Sequence, residues 1–159
     1  MKKFKGFTLV ELIVVIAIIG VLAAILVPNM MGYISKSKLS SANTAAKNVQ
    51  TAVVTYKADQ ESMGKDSKIT TLADATAPKS GDTGVMGAIY TALAGNSNIG
   101  VVCYGETNPG AADSVVWAQW ADTAGGAVWG QYPNACSDYT VFKTASTTKK
   151  MGAYVTAWS

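Results

Sequence analysis

KGFTLVELIVVIAIIGVLAAILVP, residues 5–28, is the stretch on which the fold turns. Within it, residues 9–27 form a run of nineteen with a single charge, Glu11. As a helix this run rises about 28 Å, close to a hydrocarbon core of about 30 Å. Lys2, Lys3 and Lys5 precede it and no basic residue lies inside it. The positive-inside rule therefore puts the N-terminus in the cytoplasm and the bulk of the chain outside. An ordinary secretory signal would have a shorter apolar core and a small-residue cleavage site. Here the run ends in Leu26, Val27, Pro28, Asn29 and Met30. An uncleaved anchor fits the length but leaves Gly6 and Glu11 unexplained. A carboxylate in the middle of a membrane helix costs about 2.5–3.5 kcal/mol. Glu11 therefore either has a functional partner or snorkels to the headgroups from near the helix start.

The order Lys5, Gly6, Phe7, Thr8, Leu9, Val10, Glu11 ahead of an apolar run resembles the processing site of type IV prepilins and of the related pseudopilins of type II secretion. With the helix that continues it, the resemblance covers about a third of the chain. It implies a leader, residues 1–6, removed by a membrane aspartyl peptidase that cuts after Gly6 and methylates the new N-terminus at Phe7. Glycine before the cut lets the backbone lie extended and close to catalytic carboxylates. The same resemblance implies that Glu11 pairs with the terminal amine of a neighbouring Phe7. Both charges are thereby neutralised in an apolar core and subunit register is set. Gly20 and Pro28 stand where the family weakens this helix. Pro28 cannot donate to the Ala24 carbonyl, so a kink or local melting is expected there.

Composition agrees with an anchor followed by an exported part. The 159 residues suffice for one ordinary domain, or for a small domain plus an extended element. All thirteen basic residues are Lys, and removal of the leader leaves ten against ten acidic residues. The chain without its leader thus has no net side-chain charge, and the lysines of the head are scattered apart from Lys149 and Lys150, so no specific nucleic-acid partner is expected. There is no His. A catalytic cysteine would lack an imidazole base and a zinc site would lack ligands, so no catalytic residue, metal or cofactor is assigned. Cys103 and Cys136 both lie in the exported part, where disulfides persist, and a structural bond between them is the favoured reading over two buried thiols. Its loop of thirty-four residues corresponds to about 3.8 kcal/mol in the chain-entropy model.

After Pro28, Leu39, Ala42, Ala46, Val49, Val53 and Tyr56 repeat at three and four, one stripe of a helix. Small residues dominate it, which suits close packing on a sheet better than a coiled coil. The helix should stop near residues 62–64. Residues 64–83 read as a polar loop, and 85–94 as a short helix capped by Asp82 or Thr83 and stopped by Gly95. Residues 99–104, 114–121, 127–130, 138–143 and 152–158 are strand-like, with a hairpin loop at 122–126. Trp117 and Trp120, three apart, point to opposite sheet faces; packing, rather than a sugar platform, is the expected use of Trp117, Trp120, Trp129 and Trp158. Glu106, Asp113 and Asp138 fit no calcium-loop spacing.

The expected fold is α+β: a long helix over residues 7–62, transmembrane over about 8–28, packed on an antiparallel sheet in a head spanning 63–159. The resemblance implies a structural subunit of a type IV pilus, or alternatively a pseudopilin of a secretion or DNA-uptake machine, and not an enzyme. It implies as partners further copies in a helical filament, the prepilin peptidase and methylase, and the assembly platform with its ATPase. Localisation follows: a single-pass precursor in the cytoplasmic membrane, then a filament on the cell surface.

Overall fold

The computed structural model describes residues 7–94, 99–109, 111, 114–142, 151–156 and 158. The chain divides into two compact units, Met1–Ser35 and Lys36–Ser159. Its elements are α1 (Leu9–Ser62), β1 (Leu72–Thr76), α2 (Gly84–Leu93), β2 (Val101–Glu106), β3 (Val116–Ala121), β4 (Trp129–Tyr132) and a 3-10 helix (Tyr139–Phe142). This is the expected α+β arrangement of a long N-terminal helix and an antiparallel sheet.

In the first unit every described side chain up to Met31 is exposed, the leucines, isoleucines and valines included. α1 is the one helix among the described residues that is long and apolar enough to cross a membrane. Pro28 stays within the helix, so the segment is not melted here. The neighbouring Asn29 amide donates to the Ile25 carbonyl at 3.4 Å.

In the second unit the predicted stripe is the buried one. Leu39, Ala42, Ala46, Val49 and Val53 are buried, and Tyr56 packs at the edge of the same core. The sheet is an antiparallel meander in the order β1-β2-β3-β4. Val102 sits opposite Trp120 and Tyr104 opposite Ala118 across β2 and β3. These side chains face α1 and α2, meeting Val49, Val53, Ile89 and Leu93 in the main core. The alternate residues form the other face, where Val101, Ala121 and Trp129 meet Phe142, Met151, Val155 and Trp158. Both faces are covered, which is why β2 is buried along its whole length. Trp117 and Trp120 take opposite faces as expected. Trp120 joins the helix-side core, whereas Trp117 lies 6.4 Å from Tyr154.

Four local expectations are corrected. The polar stretch 64–83 contains a strand, β1, whose side chains are mostly exposed and so give little hydrophobic signal. Residues 138–143 hold a 3-10 helix over Tyr139–Phe142 in place of a strand, begun by Asp138, whose carboxylate accepts the Thr140 N–H at 2.9 Å. No strand forms among the described residues of 152–158. That segment lies across a sheet face, where its backbone meets side chains instead of a neighbouring strand. The Gln119 and Gln131 amides, directly opposite each other on β3 and β4, supply the partners. Gln119 donates to the Ala153 carbonyl at 2.6 Å and accepts from Gly152 N–H at 2.7 Å. Gln131 donates to the Val155 carbonyl and accepts from its N–H, both at 2.8 Å. Finally, neither Asp82 nor Thr83 caps α2 through its side chain. Thr83 occupies the cap position without a side-chain bond, while the Asp82 carboxylate accepts the Lys79 N–H. Gly95, Asp113 and Lys143 lie outside the described residues.

At Gly130 the sheet lies directly against the backbone of the helix. A Cβ there would stand 2.2 Å from the Ala42 carbonyl carbon and 2.3 Å from the Asn43 nitrogen, backbone atoms that cannot swing aside. Gly130→Ala should therefore destabilise the head by about 1–3 kcal/mol through overpacking. Guanidinium unfolding of the solubilised chain, followed by tryptophan emission, should show a lower midpoint. An unchanged midpoint would mean that β4 and α1 separate easily.

Candidate assembly site

α1 begins at Leu9, so Thr8 is its N-cap and Glu11 its third residue. The Thr8 backbone N–H donates to Glu11 Oε2 at 2.9 Å, and the Thr8 hydroxyl donates to the same oxygen at 2.8 Å. In return the Glu11 N–H donates to Thr8 Oγ1 at 3.3 Å. This is a reciprocal capping box, which satisfies amides that a helix start leaves without intrahelical partners. A negative charge in the first turn also suits the positive end of the helix dipole. The sequence carries the signature openly as Thr-x-x-Glu, and Thr8 is the functional residue that a reading focused on membrane burial passes over.

The box places the one carboxylate of the apolar segment beside Phe7, which is 82% exposed. All its bonds to Thr8 fall on Oε2. Oε1 takes none of them and can serve an incoming cation. Phe7 and Glu11 are thus together at one helix end, with Gly20 and Pro28 further along the same helix. Gly6 lies outside the described residues.

The expected Cys103–Cys136 disulfide is not shown: both residues are buried, and their sulfurs turn to different carbonyls. Cys103 Sγ donates to Ala73 O on the adjacent strand at 3.4 Å, while Cys136 Sγ donates to Asp138 O at 3.2 Å. Burial, with the Asp74 carboxylate adding to it, pushes the Cys103 thiol up to about 11.

Polar groups that sequence periodicity left off the packing stripe turn out to fasten α1 to the sheet. Asn43 donates to the Cys136 carbonyl at 2.7 Å and accepts from the Gln131 N–H at 3.3 Å. Gln50 donates to the Val116 carbonyl at 3.4 Å. Lys57 pairs with buried Glu106 on β2, whose second oxygen has no hydrogen bond among the described residues. Glu106 and Asp138 are therefore engaged separately, and no three His, Cys, Asp or Glu side chains among the described residues group as a metal site.

Residues 1–27 match the family model described as the prokaryotic N-terminal methylation motif. The type IV major fimbrial protein FimA of Dichelobacter nodosus is 35% identical over 92 residues, which are 51% of this chain and 59% of that protein. The type IV major pilin protein PilE of Neisseria gonorrhoeae is 33% identical over 98 residues, 60% of this chain and 59% of that one. The type IV major pilin protein PilA of Myxococcus xanthus is 44% identical over 57 residues, 36% and 26% of the two chains. The chain thus spans less than two thirds of the length of each of these relatives. No solved structure matches it.

The thiols yield a direct measurement. At pH 8 Cys103 should react with iodoacetamide at least about 100-fold more slowly than a thiol of ordinary acidity, because its thiolate is that much rarer. The neutral thiol suits the fold, so this contribution to stability is present below the ordinary thiol range and is lost as pH rises towards about 11. Unfolding without reductant should expose two alkylatable cysteines by mass. A product that resists alkylation until reduced would restore the disulfide.

Proposed function

The chain belongs to the type IV pilin family, and from that premise we propose that it is the structural subunit of a surface pilus, polymerised through its N-terminal helix. The observation that carries this reading is the exposed apolar segment of α1 with one carboxylate, Glu11, fixed at its start beside Phe7. So much exposed apolar surface requires a bilayer before assembly and other copies of the same segment after it. The family is a structural one, and the proposed role involves no catalysis by this chain.

In this reading the prepilin peptidase removes residues 1–6 after Gly6 and methylates Phe7. The Phe7 amine of one subunit then meets Glu11 of another. Two charges that are each costly in an apolar core become one neutral contact, and the contact is available at one stagger only, so it selects register. The capping box supports this by holding Oε2 and leaving Oε1 for the incoming amine. Gly20 and Pro28 supply the places where the helix can extend as it enters the filament. The precursor waits as a single-pass protein of the cytoplasmic membrane, and an assembly platform with its ATPase extracts it. That the relatives are major pilins and fimbrial proteins favours a surface pilus over a secretion pseudopilus, and the use proposed for it is adhesion, motility or aggregation.

Intact mass and N-terminal sequencing of protein sheared from cells test the processing step. The expected chain begins at N-methylated Phe7; retention of Met1 by a membrane-bound protein would overturn the proposal. Glu11→Gln should be processed normally, yet yield about 100-fold less sheared filament or lower, as expected when one partner of a buried pair is removed. Thr8→Ala, which keeps the carboxylate but loses the hydroxyl's bonds to it, should fall between Glu11→Gln and the parent.

A further inference from the structure

Away from the assembly segment, the far end of α1 breaks a local rule. The negative end of a helix dipole favours basic side chains, yet the last turn of α1 holds none and carries Asp59 and Glu61 instead. Lys57, two positions before Asp59, turns to Glu106. Among the described residues the Asp59 carboxylate takes no hydrogen bond or ion pair. It borders a groove of about 630 Å³ between the 48–59 stretch of α1 and the 88–92 stretch of α2. Ala52, Ala88 and Ala92 line this groove with methyl groups, and half-buried Tyr56 adds an aromatic ring. Thr51 and Thr91 line it with hydroxyls already committed as donors, to Lys47 O at 2.9 Å and to Gly87 O at 3.0 Å. Their oxygens keep lone pairs, so towards a ligand these two groups accept.

This lining selects on charge and on shape. Asp59 and the two committed hydroxyls call for a positively charged donor, while the alanine methyls and the Tyr56 ring call for an apolar body. α2 carries no charged residue that could balance Asp59 from across the groove. A phosphate or sulfate would meet repulsion from the carboxylate and from the negative helix end. A long acyl chain would desolvate the carboxylate without replacing its water. We propose that this groove binds a primary alkylammonium group, its N–H donors paired with Asp59 and its methylenes lying against Ala88, Ala92 and the Tyr56 ring. Such a cation also relieves the clash between the acidic last turn and the helix dipole, so ligand and helix end stabilise each other. A free amine and the side chain of a lysine in a peptide both present this chemistry, and the probes separate the two.

The test uses the full chain in octyl glucoside micelles, a neutral detergent, at about pH 7. The probes are n-butylammonium and a lysine blocked at both its backbone ends. Saturation-transfer NMR should show contact with a dissociation constant of about 1 mM, and n-butanol, which lacks the charge, should bind about tenfold more weakly or less. Binding of the blocked lysine assigns the group to a lysine side chain, and binding of n-butylammonium alone assigns it to a free amine. Asp59→Asn, at an exposed position in a turn that tolerates a neutral side chain, should weaken binding about tenfold and leave circular dichroism unchanged. Ala92→Leu, also exposed, fills the groove without altering its charge and should weaken binding too. Absence of transfer to both ammonium probes would overturn the proposal, as would equal binding of n-butanol or binding undiminished in either variant. Because the measurement is made on dispersed subunits, its failure would leave the assembly reading intact.

Discussion

The head is organised around the contact between Gly130 and the backbone of Ala42. Without a side chain at 130, β4 can lie against the helix, and strands in one sheet then follow at their fixed spacing of about 4.8 Å. Small residues on the helix side, Ala42, Ala46 and Ala52, keep the approach close along the stripe. Directional bonds hold the alignment: Asn43 reaches both Cys136 and Gln131, Gln50 reaches Val116, and Lys57 reaches Glu106. The Lys57–Glu106 pair is better understood as an alignment device than as a source of stability, since desolvation offsets much of the attraction in a buried ion pair.

Covering the second face of the sheet is a separate problem, and the solution is polar at its centre. Gln119 and Gln131 are fully buried, an arrangement that is tolerable only when amide groups have partners. They bond to each other at 2.9 Å and to the backbone of residues 152, 153 and 155. Around them Trp129, Phe142 and Trp158 close the face, with ring centroids 5.1–5.9 Å apart. Trp158 also donates to the Asn134 carbonyl at 2.8 Å, fixing the end of the segment. Tryptophan thus serves packing on this face.

At the other end of the chain, one residue answers two demands. Glu11 has a local reason to be where it is, because it completes the cap of its own helix. It also has the proposed intermolecular one, as partner for an amine. The two are compatible because a carboxylate has two oxygens and the cap occupies only one. A glutamine could still accept from Thr8, yet it would bring no charge to a neighbour's amine, so the second role discriminates between the residues where the first does not.

Sequence by itself determined the features that depend on neighbours along the chain. The apolar run, the Phe7–Glu11 motif, the stripe from Leu39 to Tyr56, the helix end at Ser62 and the hairpin between β3 and β4 are all local in origin, governed by helical periodicity, turn residues and charge. Even the capping box was written there as Thr-x-x-Glu. Tertiary structure alone decided the rest. β1 has an exposed, weakly apolar sequence and becomes a strand because β2 offers it an edge. Residues 152–158 read as strand-forming, but residues 152–155 cross a sheet face where glutamine amides take the place of a neighbouring backbone. The cysteines, both buried as either reading required, turn to separate carbonyls, a matter of side-chain direction that spacing does not encode. The groove bordered by Asp59 arises likewise, since it joins residues 48–59 of α1 to residues 88–92 of α2. Each of these outcomes was set by distant parts of the chain competing for the same hydrogen bonds and the same buried surface, and no local pattern records which of them prevails.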